Sequence, residues 1–508
     1  SGWRNYHGLS PLESCGILSQ GKRMRTEDTA TSKKGRKDNK ALDTFFKLIA
    51  FAYVVITIIF YIAILKLNLL PGWVITIFTI AEIVFTLAMV IGLVKRHKTY
   101  KLTIISLIII LFVSGIYIYV TNYALATISF LGDVFQETKE TDEYYLIVRK
   151  DSSYAKIEDI ENKNIHFFQV ADDVKSELTK KVRVTLVNQE NLLDLGNKLI
   201  DKNVDVILTS ATQYSMLGDE IKNFKESTKI LYTIKHEIQT NTKAEDANSK
   251  YNIKSGKFNV YISGIDTSGN ISNVSRSDAN ILMSINTNTH EALLTSIPRD
   301  YYVTLHSYGA KDKLTHSGIY GVNETVKTAE DLLDTDINYY VRVNFTTVIK
   351  LVDKLGGIDV YSDYNFSRNG YNFKKGYNHI NGDAALVFSR ERYSFAGGDN
   401  QRVKNQQHVI EAVMKKVLNS TTLLTKYTDI LDSLKGSFQT NIAQDDISAL
   451  VKDQINNMSS WTIKSNSLTG TGASSSTYSM GSTKLYVMVP NSTSVTSAKE
   501  KIDEVLGE

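Results

Sequence analysis

Among the residues able to do chemistry in this chain, the arginines and the carboxylates near them stand out. Beyond residue 250 the arginines are Arg276, Arg299, Arg342, Arg368, Arg390, Arg392 and Arg402, and the last three fall within thirteen residues of a chain that otherwise prefers Lys. A guanidinium is a planar fork that grips phosphate oxygens in pairs, whereas an ammonium is a mobile point charge. Several such forks around one opening would hold a diphosphate. Asp266 and Asp278 stand in the same half of the chain, and a pair of carboxylates offers the all-oxygen ligand set that a divalent cation such as Mg²⁺ takes. The combination reads as a site for phosphoryl transfer. From residue types alone, a set of exposed ion pairs, which contribute little to stability, is equally open.

Other motifs are weaker. Asp266-Thr267-Ser268-Gly269 resembles an aspartic-protease motif broken by an extra Ser, with no second copy to supply the paired carboxylate. His316 has the chemistry of a general base but lies in no HExxH pattern, and is read as structural. Neither a G-x-x-x-x-G-K-[ST] loop nor a G-x-S-x-G elbow occurs. The one cysteine, Cys15, excludes an intramolecular disulfide, and a net charge of +4 over 508 residues is too small to argue for nucleic-acid binding.

The reactive residues need elements to hold them. Phe258, Val260 and Ile262 alternate with polar or small residues, so a strand is expected there that delivers Asp266 into the following loop. Two further strands, Ala279 to Ile285 and Ala292 to Ile297, form a hairpin. If it turns at Asn288-Thr289, Ser284 faces Leu293 and Asp278 faces Arg299 across its open end. Gln401 to Leu418 reads as an amphipathic helix with Val403, Ile410, Val413 and Val417 on its apolar side, and Arg402 and Gln406, four apart, project together.

Upstream the character changes. Three apolar stretches, about 48–70, 73–94 and 102–121, each approach the ~20 residues that a helix needs to cross a bilayer. Glu82 lies inside the second, where it either faces a neighbouring helix or reaches the interface. Lys and Arg cluster in the first 47 residues and again at Lys95, Arg96, Lys98 and Lys101, which predicts a multi-pass protein of the cell membrane with a cytoplasmic N-terminus and all later domains outside. Met24 immediately precedes the basic stretch, so residues 1–23 are expected to be an extension upstream of the natural start or foreign to it. Residues 122–139 read as a linker. Residues 140–245 alternate short strands and helices as a small α/β accessory domain; Tyr154 to Ile160 and Val204 to Ile207 resemble pieces of bacterial solute-binding modules, and a spacer without a ligand fits equally well. Lys235 to Lys254 is polar and reads as a second linker, leaving 255–505 for the domain that carries the arginines.

Phe258 to Asp266 (FNVYISGID), Val274 to Asn280 (VSRSDAN), Pro298-Arg299-Asp300, Asp312 to Gly321 (DKLTHSGIYG), Asn338 to Phe345 (NYYVRVNF), Gly356 to Val360 and Arg390-Glu391-Arg392 with Asn405-Gln406-Gln407 together resemble the LytR-CpsA-Psr family of Gram-positive bacteria, in particular its capsule-type streptococcal members with three membrane spans and an accessory domain. The resemblance is strong from Phe258 to about Ser420. It implies an α/β catalytic domain with a central mixed sheet flanked by helices, and an enzyme that moves a glycopolymer, capsular polysaccharide or one like teichoic acid, from an undecaprenyl-diphosphate carrier to peptidoglycan with Mg²⁺ or Mn²⁺. By matching position, Asp266 and Asp278 would be the metal-linked carboxylates, Arg299, Arg390, Arg392, Arg402 and Gln406 would hold the diphosphate, and Asp399 would orient the arginines. Where many members carry Gly after the arginine of this helix, the chain has Val403, which leaves the role of Lys404 open. The family also implies a lipid slot, with Val326 to Leu333, Phe345 to Leu355 and Val403 to Leu418 as candidate walls. Expected partners are the lipid-linked polymer, peptidoglycan, membrane lipid and capsule-assembly proteins, with no nucleic acid. Two rival readings are a membrane sensor that regulates capsule transcription and a hydrolase of lipid diphosphates.

Overall fold

A computed structural model of the chain describes residues 21–95, 101–134, 139–239, 251–265, 271–419, 436–457 and 461–507. It divides into two compact units, Ser1–Leu125 and Ala126–Glu508.

The first unit holds helices α1 (Gly21–Leu67) and α2 (Gly72–Val94) and most of α3 (Lys101–Val134). Within them, Lys40–Leu67, Gly72–Val94 and Lys101–Gly132 are long and apolar enough to cross a membrane. α1 stops three residues before the expected Leu70, because Asn68 turns left-handed (φ 49°) ahead of Pro71. Phe51, Ile58, Ile77, Leu111 and Phe112 are exposed, as lipid-facing positions require. Between the helices the Phe60 and Tyr117 rings stack at 4.2 Å. Glu82 is buried there and accepts hydrogen bonds from the Tyr117 hydroxyl (2.5 Å) and from Thr86 Oγ1 (3.0 Å), so it faces a neighbouring helix. The stretch read as a linker from residue 122 is instead helical as far as Val134: Ala124 to Leu131 carries no Gly or Pro, and Ala124 and Leu131 are buried.

The second unit contains two sheets. The first is built from β1 (Lys139–Arg149), β2 (Asn164–Phe167), β3 (Thr185–Asn188), β4 (Val206–Ser210) and β5 (Thr228–Gln239), in the order β3-β2-β4-β1-β5. β2, β3 and β4 run parallel, while β1 is antiparallel to both β4 and β5. Helix α4 (Asp172–Lys181) buries Val174 and Leu178 on one face of the sheet, and α5 (Leu192–Ile200) and α6 (Ala211–Glu220) pack on the other through Leu195, Leu199, Met216 and Leu217. β5 runs to Gln239, inside the stretch read as a polar linker, because Lys235 to Gln239 continue the pairing with β1; charged residues suit an edge strand.

The second sheet orders its strands as Phe438–Thr440, β11 (Tyr339–Asn344), β6 (Lys257–Ile265), β7 (Ala279–Asn286), β8 (Glu291–Ile297) and Thr462–Ser467. A short ribbon, β9 (Tyr302–Thr304) with β10 (Lys311–Lys313), follows β8. β6-β7-β8 is an antiparallel meander, whereas β11 joins β6 in parallel and Thr462–Ser467 joins β8 in parallel, so the sheet is mixed. The hairpin register is the expected one, with Ser284 opposite Leu293. One face buries Tyr261, Leu282 and Leu293 under Val326 and Leu333 and under Ala498, Ile502 and Val505 of the C-terminal helix. Each such aliphatic side chain contributes roughly 1.5–3 kcal/mol on burial. Val352, Phe388, Val409 and Ala412 form a separate core. Those candidate slot-wall residues that fall in these two clusters therefore bury their apolar faces in close-packed core.

Candidate functional site

The hairpin register decides the centre of the site. Asp278 sits one residue before β7 and Arg299 two residues after β8, so the antiparallel pairing brings them face to face, and an Arg299 Nη1–H donates to Asp278 Oδ1. Thr315 clamps the same pair: its hydroxyl reaches Asp278 Oδ1 at 3.3 Å, its N–H donates to the Arg299 carbonyl at 2.8 Å, and its own carbonyl accepts from the Ser277 N–H at 3.0 Å. The segment after Thr315 lies directly on residues 275–277. A Cβ on Gly318 would stand 2.4 Å from the Ser275 carbonyl oxygen, so no other residue fits there.

The remaining arginines come from two helices. Helix Gly382–Arg390, N-capped by the Asn381 side chain accepting from the Ala384 N–H, ends in Arg390 and leads to Arg392, whose guanidinium lies 4.8 Å from the Tyr393 ring centroid. Helix Asp399–Asn419 presents Arg402 and Gln406 one turn apart, both buried. Its neighbouring amides lock it in place. Gln407 Nε2 donates to the Asn466 carbonyl at 2.6 Å, and Asn405 Nδ2 donates to the Phe388 carbonyl at 3.2 Å. Asn405 and Gln407 thus have a scaffolding role, and Gln406 between them is left to face the cavity. Lys404 is exposed and does not line it.

Asp278, Arg299, Arg390, Arg392, Arg402 and Gln406 all line one cavity of about 600 Å³. Asp266 lies outside the described residues, as does the side chain of Asp399. Arg276, Asp300, Lys313 and Thr315 line it as well, and their signal in the sequence was membership of the quoted motifs; Met480, Leu485 and Tyr486, outside those motifs, also line it. Burial pushes the Asp300 carboxyl up, but Lys313, Arg299 and Arg402 together hold it below the usual carboxylate range; Lys313 Nζ donates to it at 3.0 Å. His316 lines the cavity too. Its Nδ1 is held by Asp312 Oδ1 at 2.7 Å and by Ser479 Oγ at 2.8 Å, which fixes the ring as a buried brace.

One wall has no precedent in the motifs. Met216, Asp219 and Glu220, at the end of α6, line the same cavity, and Asp219 pairs with Arg276 at 2.8 Å. No local signal marks them, since their place depends on how the first sheet docks on the second. That docking is built from Glu140 and Arg342, both almost fully buried and 2.8 Å apart, with Arg342 Nη2 donating to the Asn273 carbonyl at 2.9 Å. It also includes a β-bridge between Thr141 and Asn273.

Among the described residues, six cationic side chains (Arg276, Arg299, Lys313, Arg390, Arg392, Arg402) and four carboxylates (Asp219, Glu220, Asp278, Asp300) stand around the cavity. The positive excess and the paired guanidinium forks suit a doubly charged phosphate ligand. Among the described residues no group of three His, Cys, Asp or Glu is close enough to hold a metal ion. Of the two predicted metal carboxylates only Asp278 is described; Arg299 and Thr315 engage its Oδ1, which leaves Oδ2 as a hard oxygen donor of the type that Mg²⁺ takes.

A family model described as the LytR_cpsA_psr family matches residues 220–501. The polyisoprenyl-teichoic acid–peptidoglycan teichoic acid transferase TagU of Bacillus cereus is 36% identical over 204 residues, which are 40% of this chain and 66% of the relative. The protein of the same name from Enterococcus faecalis is 34% identical over 218 residues, 42% of this chain and 71% of its own. Among solved structures, that of B. subtilis TagU matches with 31% identity and a TM-score of 0.39, covering 50% of this chain and 97% of that one.

Proposed function

The chain belongs to the LytR-CpsA-Psr family, and on that footing we propose that it transfers a glycopolymer from a polyprenyl-diphosphate carrier to peptidoglycan at the outer face of the membrane. The convergence of Asp278, Arg299, Arg390, Arg392, Arg402 and Gln406 on one cavity with an excess of positive charge carries this reading, and the names of the Bacillus and Enterococcus relatives support it.

An acceptor hydroxyl on a peptidoglycan sugar attacks the sugar-linked phosphorus. The new O–P bond forms as the bridging P–O bond breaks, and its electron pair leaves with polyprenyl phosphate. Negative charge grows on the bridging and terminal oxygens, and preorganised guanidinium donors are placed to meet it. Arg299 and Arg402 line the cavity from the hairpin end and from the helix Asp399–Asn419, and Arg390 and Arg392 from the end of the helix Gly382–Arg390. Asp278 orients Arg299, and one of the two carboxylates Asp266 and Asp278 takes the proton of the acceptor hydroxyl. A divalent cation, Mg²⁺ or Mn²⁺, would be held by Asp278 and Asp266 and would neutralise charge on the diphosphate. The basic N-terminal region stays in the cytoplasm, against anionic lipid. The polymer is a capsular polysaccharide or a teichoic acid, delivered by capsule-assembly proteins.

The test is an assay of the purified full chain with lipid-linked polymer and peptidoglycan. Wall-bound polymer appearing with wild type and not with Arg299→Ala supports transfer. Free polymer released equally with and without peptidoglycan would establish a hydrolase instead, and equal wall attachment by the variant would sink the assignment.

A further inference from the structure

A second cavity, of about 300 Å³, lies where the first sheet meets the second domain, and its chemistry is the reverse of the arginine-lined site. Its floor is the carboxyl end of β2 and β4. The chain leaves β2 through α4 on one face of the sheet and leaves β4 through α6 on the other, so the crevice between these strand ends is a topological switch point. Small molecules bind preferentially at that place in open α/β sheets.

Asp142 of β1 lines this cavity and is the only charged residue of its lining among the described residues. It is 5% exposed, and its Oδ1 is buried with no hydrogen-bond partner. Burial pushes its carboxyl up to about 7; the neighbouring Tyr144 hydroxyl opposes this, and the nearby Glu140 and Glu143 add to it. Glu140, two residues away on the same strand, has the Arg342 guanidinium; Asp142 has no cation beside it in the cavity. The polar neighbours are already engaged. Gln169 accepts from the Tyr320 hydroxyl and donates to the Tyr478 carbonyl, and Gln213 is held by Ser210 and Phe168.

Another part of the lining is aromatic. Tyr308, Tyr320 and Tyr478 from the second domain form a three-ring cluster with centroids 4.6, 5.0 and 5.9 Å apart, and Tyr308 is 44% exposed at the mouth. A buried carboxylate with no cation among the described lining residues, sharing a pocket of small-molecule size with tyrosine rings, is complementary to one kind of ligand. Tyrosine π-faces attract cations and do not attract anions, and a buried charge is stabilised when a counter-charge joins it.

We propose that this cavity binds a small organic cation through an ammonium group held by the Asp142 carboxylate and the tyrosine cluster. The site is separate from the transfer reaction, although the two cavities share a wall: Ser479 lines this one, and its hydroxyl contacts His316, which lines the other.

The experiment titrates the full chain in detergent with tetramethylammonium and ethylammonium, with tert-butanol as a neutral isostere and acetate as an anion, reading melting temperature and calorimetric affinity. Both ammonium ions should bind and raise the melting temperature. Asp142→Asn, which keeps the volume and removes a buried charge, should stay folded and bind at least tenfold more weakly. Tyr308→Ala at the mouth should weaken binding with the carboxylate intact. Absence of ammonium binding to wild type, binding of tert-butanol or acetate as tight as that of the cations, or unaltered affinity in both variants would overturn the proposal.

Discussion

At the arginine-lined cavity six cationic side chains face four carboxylates, whereas at the junction between the two sheets one guanidinium, that of Arg342, meets one carboxylate, that of Glu140. The cavity leaves a positive excess open to solvent. The junction matches charge one to one and seals it at 2% and 1% exposure. Unbalanced and accessible, a guanidinium set can receive an anion; balanced and buried, a single one dictates how two surfaces must dock, because any other docking strands an ion in a dry interior. Asp142 sits between these cases, a buried carboxylate on the same strand as Glu140 with no guanidinium opposite.

The largest expected effect is at the junction. Arg342→Met leaves Glu140 buried without its counter-ion and should lower the unfolding free energy by about 3–5 kcal/mol. Adding Glu140→Gln should restore much of that loss; denaturant titration of the single and double variants measures both, and a single variant as stable as wild type would break the contrast. At the cavity, Arg299→Ala should cut transfer by about 10²- to 10³-fold with a melting temperature within a few degrees of wild type, read by wall-attached polymer and by thermal unfolding in parallel.

Asp142 gives the next effect, with a sign that follows from its raised pKa. Between about pH 4 and 7 the folded chain holds a proton that the unfolded chain has lost, so the contribution is fully present at low pH and is lost as pH rises. Between pH 5 and 6.5 the loss should be about 2 kcal/mol. Asp142→Asn should flatten that slope, and an unchanged pH profile would show that the carboxylate is not buried in solution. The smallest effect belongs to Asp219→Ala at the cavity rim. Its pair with Arg276 is half exposed on the acidic side, so less than about 1 kcal/mol of stability is at stake, visible as a melting shift of a few degrees at most.

Much of the architecture was legible from residue order. The three apolar runs marked the three helices long and apolar enough to cross a membrane, and only their ends moved: α3 carries on to Val134 because nothing in Ala124 to Leu131 stops a helix. Asp278 and Arg299 could be placed opposite each other because a hairpin register, once its turn is chosen, is a matter of counting. Arg402 and Gln406 shared a helix face for the same reason. His316 was read as structural; Asp312 and Ser479 hold its Nδ1, and Ser479, 163 residues downstream, could not have been named.

What residue order determines here is therefore local: which segments are apolar enough for a bilayer, which pair as hairpins, and which residue types can hold phosphate. Repeating periods of two and 3.6 residues act over a few turns or strands, and a single sequence records them directly. The part of the cavity lining from Met216, Asp219 and Glu220 and the unmatched state of Asp142 were settled by packing. Glu140 and Arg342 meet across 202 residues of chain, and such a meeting depends on the summed burial and charge matching of whole surfaces, to which no short stretch of sequence corresponds.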